Sequence, residues 1–118
     1  MENKVFGEVK FNSGWETTSN ISFNKIEYKI VISADAYYEE DIITHEQEIA
    51  YKEFQDNSTH ILSQIEKMID IDKYIPVLLL FRRNGDYGLI FDDKNDLEGG
   101  IVVVIKPEMD VLSVDQYL

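Results

Sequence analysis

The stretch Val77-Leu-Leu-Leu-Phe-Arg-Arg-Asn-Gly-Asp-Tyr-Gly-Leu-Ile-Phe-Asp92 contains two apolar runs on either side of Asn84-Gly85. Asn-Gly is the strongest short-range signal for a β-hairpin, because both residues tolerate positive φ. Each flanking run has the length and composition of a strand. The stretch therefore predicts two antiparallel strands, Val77–Arg83 and Tyr87–Asp92, joined by a tight turn.

Upstream of this hairpin, Thr44-His-Glu-Gln47 matches a capping box, in which the Thr and Gln side chains each bond a backbone N–H of the other residue. A helical apolar stripe follows at Ala50, Phe54, Ile61, Ile65 and Met68. The weak helix formers Asp56-Asn-Ser-Thr59 interrupt it. We expect one kinked helix, with two shorter helices as the alternative, ending before Ile75-Pro76.

Alternation of apolar residues predicts further strands on both sides of this helix. The first group is Val5–Phe11, Trp15–Phe23 and Ile26–Ala34, with a turn at Asn24-Lys25. After the hairpin, Ile101–Lys106 predicts another strand, and Val111–Leu118 predicts a short edge strand or a packed tail.

These elements predict one α+β domain, residues 1–118, with an antiparallel sheet of about five to six strands. The order is β-meander, helix, β-meander, and the long or kinked helix is expected to pack on one face. The runs Val77–Phe81 and Ile101–Ile105 are apolar on both faces, as in strands covered on both sides. A curled N-terminal hairpin or a second subunit is expected to cover the other face.

Composition restricts the class of protein. Without cysteine there is no disulfide and no Cys-ligated metal. The longest apolar runs are five residues, too short to cross a bilayer, and the first ten residues lack the apolar stretch of a secretory signal. A net charge of −12 disfavours binding to nucleic acid and to anionic lipid. We expect a mature, cytoplasmic protein that binds neither nucleic acid nor membrane.

The sequence contains no strong signal for a catalytic or metal-binding site. His45 and His60 are too far apart in sequence to share a metal on one helix, and we expect both at the surface. The acid-rich loop Asp92–Glu98 fails the EF-hand pattern, because either starting position puts an unsuitable residue in the loop. No Gly-x-Ser-x-Gly motif is present. We expect no enzymatic activity, catalytic residue, metal site or cofactor.

Negative charge is concentrated in one part of the chain. Between Ile30 and Asp72, eleven acidic residues face only Lys52 and Lys67. Within this part, Tyr37-Tyr38-Glu39-Glu40-Asp41 combines two aromatic residues with three carboxylates, a composition suited to binding a basic protein. The alternative is a charged connection with one or both tyrosines packed in the core. The predicted partner-binding residues are Asp35, Tyr37, Tyr38, Glu39, Glu40, Asp41, Glu46 and Glu48. Trp15 is predicted as either a buried hairpin residue or an exposed anchor.

Several short motifs resemble a family of small uncharacterised bacterial domains. They are Phe6-Gly-Glu8, Gly14-Trp15, Tyr87-Gly-Leu-Ile-Phe-Asp92, Glu98-Gly-Gly-Ile-Val-Val103, Pro107-Glu108 and Asp115-Gln-Tyr-Leu118. Members of such families often resemble immunity proteins of toxin systems. The resemblance implies a protein that binds and blocks a cognate toxin, and it assigns no functional residue.

Three functional hypotheses remain open. The leading one is a non-enzymatic binding protein, in one form an immunity protein, whose acidic surface pairs with a basic protein partner such as a toxin. The second is a small metal- or ligand-binding protein that uses the Asp92–Glu98 loop. The third is a structural homo-oligomer, of which a homodimer is the simplest form.

Overall fold

A computed structural model describes residues 1–96 and 98–118. In chain order the elements are β1 (Glu2–Asn3), β2 (Gly7–Glu8), β3 (Lys10–Phe11), β4 (Trp15–Phe23), β5 (Ile26–Ala34), α1 (His45–Glu66), β6 (Tyr74–Phe81), β7 (Tyr87–Asp93), β8 (Ile101–Lys106), β9 (Asp110–Ser113) and α2 (Val114–Tyr117). Neither helix has both the length and the apolar character of a membrane-spanning segment, as far as the described residues go.

Seven strands form the main sheet, in the order in which they occur in the chain from β3 to β9. The predicted α+β class, with a mostly antiparallel sheet and one main helix, is confirmed. The count of five to six strands is too low, and β1 and β2 form a separate two-stranded ribbon. The all-antiparallel prediction is also wrong, because β5 and β6 pair in parallel. Helix α1 causes this, because it connects β5 to β6. The helix returns the chain to the end of the sheet where β5 began, so β6 runs in the same direction as β5.

Helix α1 begins as the capping box predicts. The Thr44 Oγ1 atom accepts from the Gln47 backbone N–H, and the Gln47 side chain accepts from the Thr44 N–H. Asn57 has non-helical backbone angles (φ −121°, ψ 15°), so α1 is one helix with a kink in the predicted region. Its buried face includes Leu62, whereas Met68 lies beyond the helix end and is exposed.

The predicted hairpin between β6 and β7 forms with a different turn. Phe81 pairs with Tyr87, the Arg82 N–H donates to the Asp86 carbonyl, and the Gly85 N–H donates to the Arg82 carbonyl. Of the Asn84-Gly85 pair, only Gly85 has positive φ (+95°). This is a three-residue loop with glycine at the left-handed position, so both strands end sooner than a two-residue turn would allow.

The N-terminal meander follows the predictions in part. The Asn24-Lys25 turn is confirmed, with both residues at positive φ between the paired Phe23 and Ile26. The predicted strand Val5–Phe11 is confirmed only in part, because it is divided into β2 and β3 and its first two residues lie in a turn. Oδ1 of Asn3 accepts the backbone N–H groups of Val5 and Phe6, which closes a turn in place of a strand.

On the second face of the sheet, the C-terminal segment packs where a curled N-terminal hairpin was one of the predicted covers. The other predicted cover, a second subunit, stays a prediction. Ile90, Val102 and Val104 form a second apolar cluster, against which Val114 and Tyr117 pack. Arg82 holds this end in place, because its guanidinium lies 4.5 Å from the centre of the Tyr117 ring and donates to the Tyr117 carbonyl.

Tyr117→Ala is expected to lower the free energy of unfolding by about 1–3 kcal/mol, because the ring's packing and its cation–π contact are both lost. Leu118→Ala is the control, since Leu118 is exposed, and its effect should stay within about 0.5 kcal/mol. Urea unfolding of both variants measures the difference. Equal stabilities would show that α2 does not hold the second face.

Candidate partner-binding surface

The connection between β5 and α1 places large apolar side chains in solvent. It comprises residues 35–44 and is called here the β5–α1 loop. Tyr37, Tyr38 and Ile42 are 78%, 69% and 73% exposed. Ala36 and Ile43 are buried on either side of them and anchor the loop to the core. The alternative in which the tyrosines pack into the core is therefore wrong.

The turn that carries the two tyrosines is closed by its own hydrogen bonds. Oδ2 of Asp41 accepts from the backbone N–H groups of Tyr37 and Tyr38, both at 3.1 Å. The Asp41 N–H in turn donates to the Tyr38 carbonyl at 3.0 Å. Trp15 is buried, and its Nε1 donates to the Asp41 carbonyl at 2.6 Å. Of the two predictions for Trp15, the buried one is confirmed.

The two ends of the loop are joined to the hairpin between β6 and β7. Nη1 of Arg83 donates to the carbonyls of Asp35 and Ile42, at 3.2 and 2.9 Å. Oγ1 of Thr44 donates to the Arg83 carbonyl at 2.8 Å. The backbone of the β5–α1 loop is thus fixed from both sides while three of its side chains are largely exposed to solvent.

Gln47 completes this arrangement from inside the core, where its side chain is fully buried. Its Nε2 donates to the carbonyls of Asp35 and Phe81, at 3.0 and 3.1 Å. These carbonyls lie at the ends of the parallel strands β5 and β6. One side chain therefore joins the start of α1, the start of the loop and the end of β6.

The predicted acidic residues fall into two groups. Glu39, Glu40 and Glu46 are exposed and free to meet a partner. Asp35 is half-buried, and the Asp41 carboxylate is used within the turn. Glu48 is only 14% exposed and accepts from Asn3 Nδ2 at 3.0 Å, with Lys4 and His45 nearby. The accessible part of the predicted surface is therefore Tyr37, Tyr38, Glu39 and Glu40 in the loop, together with Glu46 in the first turn of α1.

Sequence reasoning missed Ile42. The signal was the pair Ile42-Ile43, because neighbouring side chains in an extended segment point in opposite directions and only one of them reaches the core. Gln47 was identified as a cap but not as a buried donor. Nothing in its sequence context distinguishes a solvent-facing capping glutamine from one that reaches two carbonyls.

The Asp92–Glu98 loop uses its carboxylates locally. Asp93 is buried, accepts from the Asn95 N–H at 2.9 Å and lies 3.6 Å from Lys73 Nζ. Asp96 accepts from the Glu98 N–H at 3.0 Å. Leu97, part of the predicted loop, lies outside the described residues. Over the remainder, no group of three or more His, Asp or Glu side chains is arranged to hold a metal ion. His45 and His60 are both exposed, as expected.

Comparison with known proteins gave no relative. No protein-family model, no curated protein and no solved structure matched this chain. The resemblance to small bacterial domains of the immunity-protein kind therefore stays a prediction from the sequence motifs.

Proposed function

We propose that this chain is a non-enzymatic protein-binding module that contacts a basic protein partner through the β5–α1 loop. The observation that carries the proposal is the exposure of Tyr37, Tyr38 and Ile42 on a backbone fixed by hydrogen bonds. Single exposed apolar residues are ordinary, but three within six residues form a patch of the kind found at interaction sites.

The fixed backbone of the loop favours binding, in addition to the exposure of its side chains. Association is weakened by the entropy lost when loops become ordered, and a loop that is ordered beforehand avoids much of that loss. Asp41, Arg83 and Trp15 already hold the β5–α1 loop in one conformation. Tyrosine is also among the residues most enriched at the energetic centres of interfaces.

Charge indicates the class of partner. Glu39 and Glu40 lie beside the tyrosines and are exposed, and the whole chain carries a net charge of −12. A negative surface of this kind raises the association rate with a positive protein and repels acidic ones. One form of this function is an immunity protein that neutralises a basic toxin. Support for that form comes from the sequence resemblance and the charge alone.

Reversing the two exposed acids of the loop is expected to abolish capture of the partner. Wild type, Glu39→Lys/Glu40→Lys and the control Glu27→Lys/Asp56→Lys serve as baits in quantitative affinity capture. The control changes the net charge equally at exposed sites outside the loop. We expect wild type and control to retain the same basic protein and the loop variant to lose it.

The purified pair then gives a kinetic measurement. The association rate is expected to fall at least about tenfold between about 50 and about 500 mM salt, because screening weakens long-range attraction. Retention of the partner by the loop variant, or a rate independent of salt, would contradict the proposal. Rescue of cells that express the captured partner would support the immunity form in particular.

A further inference from the structure

Strand β4 has a free edge on the side away from β5. It pairs with β5 along its whole length, from Trp15 to Phe23. On the other side β3 pairs only with Trp15 and Glu16. Within residues 1–96 and 98–118, no strand pairs with this edge from Thr17 to Phe23. Backbone groups that face outward from these seven residues are available to another chain.

This edge lacks the usual protection against pairing. Exposed edge strands generally carry charged residues or proline, or are twisted by a bulge. Thr17-Thr-Ser-Asn-Ile-Ser-Phe23 contains no charged residue and no proline, and its register with β5 is unbroken. The contrast with a chain in which 29% of residues are charged is large.

A groove of about 530 Å³ runs beside the free edge, between β4 and the part of α1 from Tyr51 to Glu66. Ser19 and Ile21 line it with side chains that face the helix. Asn20 and Ser22 line it too, although their side chains point to the opposite face, so the backbone edge of β4 forms part of the wall.

The opposite wall is mostly polar, with Glu66 as its one charged residue among those that line the groove, and the floor is apolar. On α1 the wall is formed by Gln55, Ser58, Thr59 and Ser63, while Phe54 and Leu62 form part of the floor. Tyr51 also lines the groove, and its burial raises the pKa of its hydroxyl. Lys25 and Glu66 supply one charge of each sign.

We propose that the β4 edge and this groove bind an extended peptide segment of a partner protein, which adds to the sheet as an eighth strand. Backbone hydrogen bonds to β4 hold such a segment, and every second side chain enters the groove. The floor selects apolar side chains at those positions. The net charge of −12 favours a segment that is neutral or basic overall.

A second copy of this chain fits the edge less well. Two-fold pairing through β4 would bring the copy's inward side chains alongside the groove, but Ile21 and Phe23 are already buried under that copy's own helix. The groove would stay empty, and two chains of the same high charge would repel each other. The side chains of an extended peptide are not buried in a core of their own, so they can fill the groove, and a neutral or basic peptide is not repelled by the charge of this chain.

The probe is a phage-displayed library of linear twelve-residue peptides, selected on the wild-type protein. We expect enriched peptides with apolar residues at alternate positions. Thr59→Glu/Ser63→Glu should weaken their binding at least about tenfold, because two larger side chains then occupy the groove and set carboxylates beside the apolar side chains that would enter it. The matched control is His60→Glu/Gln64→Glu, which adds the same charge at neighbouring exposed positions that line a different depression.

A second measurement on the unaltered protein tests the strand geometry. Two versions of each selected peptide are N-methylated, one at the odd-numbered and one at the even-numbered backbone nitrogens. One version should lose binding and the other should keep it, since only every second N–H faces β4. Equal loss of binding by the two N-methylated versions, or equal peptide binding by the groove variant and its control, would overturn the proposal. So would a dimer in solution that the groove variant converts to a monomer, because that result names a second copy as occupant.

This proposal stands apart from the function of the β5–α1 loop. Glu39→Lys/Glu40→Lys should leave the affinity for selected peptides within about twofold, because screening confines its effect to the neighbourhood of the loop. Failure of peptide binding in the groove variant with intact partner capture would separate the two sites.

Discussion

The Gln47→Leu variant is expected to lose about 3 kcal/mol of unfolding free energy, a fall in Tm of about 10 °C for a chain of this length. Leucine has nearly the same volume but no polar atoms, so three hydrogen bonds disappear at once. The Asp35 and Phe81 carbonyls each keep one other donor, but the half-buried Thr44 N–H loses its acceptor. Each lost bond costs about 1 kcal/mol, and a group left without a partner costs more.

Gln64→Leu is the matched control, since Gln64 is an exposed residue of the same helix. Its effect should remain within about 0.5 kcal/mol, measured by the same thermal and urea unfolding. Gln47→Glu should be worse than leucine at neutral pH, because a buried carboxylate would face two carbonyl oxygens. Its deficit should shrink as the pH falls, since protonation restores a donor there. A loss for Gln47→Leu no larger than that of the control would show that the side chain does not join these elements.

The Tyr37→Ser/Tyr38→Ser variant is expected to bind the partner about 100-fold more weakly, or worse, while its stability stays within about 0.5 kcal/mol of wild type. Stability is unaffected because both rings contact solvent in the free protein. The backbone that holds them is closed by the Asp41 carboxylate, which the substitution leaves in place. Calorimetry on the captured partner measures affinity, and urea unfolding measures stability.

Ile26→Ser/Met68→Ser is the control for this pair. It removes two other exposed apolar side chains that lie far from the loop in sequence, and partner affinity should be unchanged. Affinity unaltered by the tyrosine substitutions would place the interface elsewhere. A large loss of stability would instead mean that the rings support the fold, contrary to their exposure.

Local features of the fold could be predicted from sequence because local chemistry determines them. The Thr44–Gln47 cap requires two side chains three residues apart, and β5 spans the predicted residues 26–34. The Asn24-Lys25 turn also formed as expected. In each case the interacting residues are close together in the sequence, so the prediction does not depend on residues far along the chain.

The parallel pairing of β5 and β6 could not be derived in this way. Residues 26–34 alternate and residues 77–81 form a continuous apolar run, and neither pattern specifies that these two strands are neighbours or run in the same direction. The direction follows from the path of α1 across the sheet, which is a property of the packed molecule. Likewise, the start of the predicted N-terminal strand is a turn because the Asn3 side chain accepts two backbone N–H groups that the pattern assigned to a sheet.

The candidate surface was predictable in position but not in exposure. Aromatic residues next to carboxylates suit both an interface and a core edge, and only the observed turn at Tyr37–Asp41 decides between them. The free edge of β4 escaped prediction for a related reason. An uncharged strand is expected in the middle of a sheet, and its place at the edge depends on how short β3 is.

The parallel pairing of β5 with β6 also separates the sheet into two halves that can fold from local contacts. Strands β4 and β5 form one hairpin, and β6 to β9 form a run of neighbours, so each half can assemble from contacts close in sequence. Only the union of β5 with β6 requires closure of a loop that contains all of α1, and such closure carries the largest entropic cost. We therefore expect the β5–α1 loop and its tyrosines to take their final form late in folding, when the two halves meet.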